Sequence, residues 1–343
     1  MPPFESPTPR HRYRISSEKA AITRFFRKRN VPRSTNGRML LATWDIANLG
    51  AQKRSPGALQ LIAHILKRFD LIAIQEVNDD FRNFERVLNH MGRDFDFVMS
   101  DTAGNNERLV YVYRASKVWP TNLYGELALR ARNFPTRIVP VRYRVGGRAK
   151  VDRRRTKFTP FDRNPFITSF EAGNVDFTLV NCHLYYGKVE NSKHVADRKK
   201  YARRVLEVYT LAKWANDRHK KRTSYDRDIV LLGDMNVPAM EKSDPTYREL
   251  KRFGWKSVDY VSKTGGSNLG NDKTYDQMTF APRRAGRRVK NRGVFDFDNA
   301  VFAPLWDRLK QELPRERAIS RFNQHVKHHI SDHRPLWVEV DIT

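Results

Sequence analysis

Five short segments, far apart in the chain, carry polar residues at or near the ends of apolar runs. Trp44-Asp45-Ile46 closes LLATWDI, and Ile74-Gln75-Glu76 closes LIAIQE. Asn181-Cys182-His183 closes FTLVNCH, Gly233-Asp234-Met235-Asn236 closes IVLLGDMN, and Ser331-Asp332-His333 precedes the last apolar run. Runs this short and rich in β-branched residues read as buried strands. Ligands in layered α/β proteins gather at strand ends. Carboxylates, an amide and imidazoles converging there suit a divalent metal and a phosphate. Hard oxygen ligands suit a metal such as Mg²⁺ or Mn²⁺. The one cysteine, Cys182, has no partner for a thiolate zinc site or an intrachain disulfide.

Each segment alone has a plainer reading. A strand-end carboxylate such as Asp45 or Glu76 commonly caps a helix. A lone His183 is more often a satisfied core histidine. GDMN is by itself a turn, since Gly, Asp and Asn favour turns for local reasons. Ser331-Asp332-His333 alone reads as an Asx-turn loop. Their joint occurrence at strand ends favours chemistry.

The elements that must position them follow from the spacing of apolar residues. Strands are expected at Met39–Ile46, Leu71–Gln75, Phe95–Ser100, Leu109–Tyr113, Phe166–Phe170, Phe177–His183, Asp228–Leu232, Phe297–Phe302 and Leu336–Val340. Helical spacing marks Gly57–Phe69, Asn83–Met91 and Asn191–Asn216. Residues 1–37 read as a basic, partly disordered arm with a short helix near Ser17–Phe26. The catalytic domain is then 38–343, with basic insertions at 137–157 and 282–293, the second read as a loop. The first insertion carries nine Lys/Arg and one acid around Gly146-Gly147, the pattern of a protruding β-hairpin.

In this order the motifs resemble the endonuclease/exonuclease/phosphatase superfamily, and within it the deoxyribonuclease I-like branch. The fragments are WDIANLG, LIAIQEV, ERLVYVYRASKV, FDRNPF, LVNCHLYYG, LLGDMN, TYDQMTFA and SDHRPLWVEV. Each is weak alone; all eight in order are specific. The resemblance implies a four-layered α/β sandwich, two β-sheets packed face to face and flanked by helices. It implies a Mg²⁺- or Mn²⁺-dependent phosphodiesterase. Glu76 is the leading metal ligand, with Asp45 and Asp332 completing the site. Asp234 and Asn236 orient the attacking water and hold a phosphate oxygen. His183 and His333 flank the scissile phosphate, with Glu107 orienting His183 and Asp276 orienting His333. Arg163 grips a phosphate oxygen.

The chain departs from the pattern at Asp45, where the family usually has Asn, and at Ala47, Asn78 and Asn105, where deoxyribonuclease I has Arg, Arg and Tyr. Those three positions put its groove-docking mode in question. Ala47 also replaces the carboxylate of AP endonucleases, which argues against that branch.

The formal net charge is +27, far beyond what solubility needs, and such a field attracts polyanions. DNA is the expected partner, with RNA open. Arg153, Arg154 and Arg155 in the first basic insertion and Arg287 and Arg288 in the second are the expected backbone contacts. A monomer is expected. No apolar stretch reaches the roughly 20 residues of a membrane span. The first 30 residues lack a signal-peptide apolar region, so an intracellular location is expected, an arginine-rich transit peptide being the minor alternative. Two other functions stay open: a phosphoinositide or sphingomyelin phosphodiesterase of the same superfamily, and a non-catalytic nucleic-acid binder on this scaffold.

Overall fold

The apolar runs pair into two six-stranded sheets and one two-stranded hairpin. The computed structural model of the chain describes residues 3–8, 10–187, 194–282 and 284–343. In chain order the strands are β1 (Arg38–Leu49), β2 (Leu71–Asn78), β3 (Phe95–Met99), β4 (Glu107–Arg114), β5 (Trp119–Glu126), β6 (Thr136–Val145), β7 (Arg148–Lys157), β8 (Phe166–Ala172), β9 (Val175–His183), β10 (Ile229–Asp234), β11 (Lys256–Ser257), β12 (Asp276–Phe280), β13 (Val289–Val294) and β14 (Leu336–Asp341). The sheet orders are β13-β14-β1-β2-β4-β3 and β11-β12-β10-β9-β8-β5, with β6-β7 apart.

Side chains alternate across a strand, so a strand buried on both faces must be apolar throughout. One face of β1 and β2 (Met39, Leu41, Leu71, Ala73) meets Leu179, Val230, Leu232 and Met278 of the second sheet. The other face (Leu40, Ala42, Ile72, Ile74) packs beneath helices through Ile22, Leu59, Phe84, Leu305 and Phe322. Behind the second sheet, Val180, Cys182 and Leu231 pack on Leu206 and Leu211 of the helix Val195–Lys220 and on Leu250. The result is helix, sheet, sheet, helix: the expected four-layered sandwich. A buried polar link joins the sheets, where Gln75 Nε2 donates to Asn181 Oδ1 at 2.6 Å.

The hairpin β6-β7 forms as expected, turning at Gly146 and Gly147 with φ of 56° and 77°. Val139 and Val141 seat it on Ala202 and Val205 of the long helix.

The short helix expected near Ser17–Phe26 forms within the basic N-terminal segment and packs on the core. Ile15–Lys28 is a helix whose Ile22, Phe25 and Phe26 are buried in the core, and its buried Glu18 accepts from Phe302 N at 2.8 Å. Two other expectations change. Phe297–Phe302 is not a strand. Its alternation of Phe and Asp imitates one, but Asp296 and Asp298 are buried against Arg29 and Arg334 instead of facing water. The segment 282–293 is not wholly a loop: Val289–Val294 is β13, paired with β14. Residues 191–193 of the expected helix lie outside the described residues.

Candidate active site

The site forms where both sheets end on the same side. On the second sheet, His183 pairs with Asp234 across parallel β9 and β10, and Asp234 pairs with Asp276 across antiparallel β10 and β12. On the first, Asp45 pairs with Gln75 across parallel β1 and β2. Both strands then bulge: the next pair is Leu49 with Val77, and Asn48 and Glu76 have φ of 52° and 60°. A non-glycine residue in that region costs about 1–3 kcal/mol and persists only where surroundings impose it. Here Asn48 N donates to Glu76 Oε2 at 2.7 Å. The Ser-Asp-His segment is tied to the end of β1. Ser331 Oγ donates to Asp45 O at 2.7 Å and accepts from Ala47 N and His333 N, while Trp44 Nε1 donates to His333 O at 2.8 Å.

Each histidine leans on a buried carboxylate. His183 Nδ1 lies 2.9 Å from Glu107 Oε2, and His333 Nδ1 lies 2.8 Å from Asp276 Oδ2. One cavity is lined by Glu76, Glu107, Arg163, His183, Asp234, Asn236, Asp332 and His333, together with Asn105, Tyr186 and Tyr275. Asp45 and Asp276 lie behind it, 1 % and 0 % exposed.

So many acids in one place cannot all ionise freely. Burial, then the neighbouring Glu76, pushes Asp45 well above the usual carboxylate range. Burial also raises Glu76 and Asp234, with the histidines opposing. Glu107 goes the other way: burial would raise it, but the hydrogen bond and charge of His183, then Arg163, hold it low. Burial would lower His333, yet Asp276, Asp45 and Asp234 carry it well above its ordinary value.

A hard cation fits this donor set. Both carboxylate oxygens of Asp45 and Oδ1 of Asp332 are buried without a hydrogen-bond partner among the described residues. Ligand atoms of Asp45, His183 and Asp234 lie within 4.8 Å of one another, as do those of Glu76, Glu107 and His183. Asp332 lines the same cavity but stands outside both groups.

Several expected roles are revised. Arg163 does not offer a free fork to phosphate. Its Nε donates to His183 O at 2.9 Å, its Nη2 to Leu184 O at 3.2 Å, and its Nη1 faces Asp162. It braces the strand carrying His183. Asn236 Nδ2 is partly committed to Leu184 O at 2.8 Å. Arg287 and Arg288 lie at the wrong end. They follow β12, whose Phe280 pairs with Val230 while Asp276 pairs with Asp234. Four residues of strand separate the two ends by about 13 Å. Arg288 also donates to Thr343 O at 2.7 Å. In β7, Arg153 and Arg155 are exposed, but Arg154 pairs with Asp152 at 2.7 Å.

Sequence reasoning missed Arg54, Tyr186 and Tyr275. Arg54 donates to Ile330 O at 3.0 Å, and burial brings it down to about 10 against the pull of Glu76 and Asp332. Only the spacing of Tyr275 beside Asp276 signalled its place. Nothing in the sequence distinguished Tyr186 from other loop tyrosines.

No family model matches the chain. It is 24% identical over 308 residues to deoxyribonuclease gamma of Rattus norvegicus, covering 86% of this chain and 82% of that protein. Among solved structures, an endonuclease/exonuclease/phosphatase from Bacteroides vulgatus superposes with a TM-score of 0.48 at 14% identity, over 89% of this chain and 99% of the other. The human Nocturnin catalytic domain gives 0.49 at 11% identity, over 90% and 96%. Among the described residues no helix is long and apolar enough to cross a membrane. The resemblance to the endonuclease/exonuclease/phosphatase superfamily, in its deoxyribonuclease I-like branch, holds in motif order, in the paired sheets and in the long alignment with deoxyribonuclease gamma.

Proposed function

We propose that this chain is a divalent-metal-dependent nuclease that hydrolyses phosphodiester bonds of DNA with little sequence preference, RNA being the second substrate to test. The observation that carries the proposal is the pair of imidazoles, each held through Nδ1 by a buried carboxylate, beside Asp45 and Asp332, whose buried oxygens have no hydrogen-bond partner among the described residues. Glu76, Asp45 and Asp332 would hold Mg²⁺ or Mn²⁺, which when bound neutralises the phosphoryl oxygens and stabilises developing charge. The carboxylates fix each imidazole so that Nε2 is the working nitrogen. One histidine takes the proton of the attacking water and the other gives a proton to the leaving oxygen. Asp234 and Asn236 orient the water and a phosphate oxygen. Affinity comes from the basic surface, through contacts to phosphates that carry no base specificity. The chain acts as a monomer, and its single buried, free cysteine suits a reducing, intracellular compartment.

Incubation with plasmid DNA, single-stranded RNA and a phosphoinositide, each with Mg²⁺ and with EDTA, tests this. Metal-dependent cleavage of DNA is expected. Hydrolysis of the phosphoinositide alone would assign the site to lipid head groups. Binding of DNA without any cleavage would make the chain a non-catalytic binder.

A further inference from the structure

Tyr186 and Tyr275 line the same cavity as the two histidines. The Tyr275 ring lies beside the His333 imidazole, centroids 5.9 Å apart and planes 29° from parallel. Tyr186 meets Tyr275 edge-on, at 6.2 Å and 89°. Behind Tyr186 stands Arg204, its guanidinium carbon 5.1 Å from the ring centroid. Arg204 is itself buried and fixed, donating to Asn236 O at 3.0 Å and Gly187 O at 2.6 Å. Tyr186 is nonetheless 45% exposed. A scattered surface tyrosine needs no explanation. This one is braced from behind by Arg204 and from the side by Tyr275, at the cavity that the nuclease reading assigns to a phosphate.

A base within an intact duplex is paired and stacked on its neighbours, out of reach of a ring beside the phosphate. An unpaired base presents its face, and an aromatic ring stacks on any base regardless of identity. We propose that Tyr186 is a stacking platform for the unpaired nucleobase next to the phosphate held at His183 and His333, so that the bound substrate is single-stranded or locally unpaired. The proposal rests on the nuclease reading and narrows it. The cation behind the ring enriches the platform, since Arg204 holds Tyr186 in one place before substrate arrives.

The test compares affinities of the full chain and two Tyr186 variants for two strands in EDTA, where hydrolysis is not expected. Short single strands are made with their bases and with abasic sugars throughout. The unmodified protein should bind the base-bearing strand about tenfold more tightly, within the range for one base–aromatic stack. Tyr186→Ala should remove that preference, and Tyr186→Phe, which keeps the ring, should retain it. No preference in the unmodified protein, or a preference that survives Tyr186→Ala, overturns the platform. Hydrolysis of DNA with Mg²⁺ or Mn²⁺ is measured alongside. If it proceeds, loss of the platform leaves the nuclease reading intact. If the unmodified protein hydrolyses no nucleic acid, both fall.

Discussion

The imidazole of His333 is held by Asp276 through a 2.8 Å contact at Nδ1, and the carboxylate is wholly buried. His183 repeats the relationship with Glu107 at 2.9 Å. The two pairs come from four different strands or strand ends, so their parallel construction is imposed by the fold and not by local sequence. A group that moves a proton in the transition state contributes about 10²–10⁴-fold. His183→Ala and His333→Ala should each lower the turnover of DNA by that much, with little loss of binding. Asp276→Asn acts through its histidine and should cost about 10–100-fold. Steady-state plasmid nicking measures all three. Turnover at the unmodified rate in both histidine variants would show these residues to be structural.

The hairpin supplies a second expectation. Arg153 and Arg155 face water, while Arg154 is paired to Asp152, which also receives Arg198 at 2.9 Å. An arginine spent on a carboxylate has less charge to offer a phosphate. Neutralising Arg153 and Arg155 together should flatten the log–log salt dependence of DNA binding by up to about 2 units, nearly one per phosphate contact. Arg154→Ala alone should change the slope less than either neighbour does. Fluorescence anisotropy across a salt series reads this directly. An unchanged slope in the double variant would reduce the hairpin to a solubilising feature.

Much of this architecture is legible in the sequence, for a physical reason. Strands buried on both faces must be apolar, so Asp45, Glu76, His183 and Asp234 stand out at their ends. The devices that aim those residues are not legible. The bulge that turns Glu76, and the three hydrogen bonds of Ser331, use residue types that also occur in ordinary loops. Phe297 to Phe302 misleads because period-two alternation assumes that aspartates face water, whereas Asp296 and Asp298 are buried by distant arginines. The helix Ile15–Lys28 is legible only in its middle, near Ser17–Phe26, and its docking on the core is not, because its apolar stripe is short and set among arginines. Tyr186 is invisible because its importance lies in Arg204 and Tyr275, which the fold alone brings beside it.

Acid stability provides a further check away from the site. His325 is 1% exposed, with the His329 ring 4.3 Å away, His11 5.7 Å away and Phe302 edge-on at 4.7 Å. Burial, then the facing His329, His11, His328 and Arg308, brings His325 down to about 3; burial, then His328, Arg54 and His11, brings His329 down to about 4. Both are therefore neutral in the fold, while the unfolded chain protonates them near 6.5. Below that pH the unfolded state binds more protons, so stability falls as pH drops. The loss should approach about 2 kcal/mol per imidazole by pH 5. Thermal unfolding at pH 7 and pH 5 measures it, and His325→Phe should show a smaller drop than the unmodified chain. Equal drops would mean that the cluster does not govern acid sensitivity.

Hydrolysis of negatively supercoiled plasmid DNA, which opens locally to unpaired bases, by the purified full chain, with Mg²⁺ or Mn²⁺ and again with EDTA, tests the metal-dependent nuclease reading most directly. Glu76→Ala belongs in the same experiment, because that carboxylate is aimed by a strained bulge and lines one cavity with Asp332. Nicking is expected with either metal and none with EDTA. Glu76→Ala should lose activity by orders of magnitude while its circular dichroism stays that of the unmodified chain. Undiminished cleavage in EDTA, or by folded Glu76→Ala, would contradict the assignment.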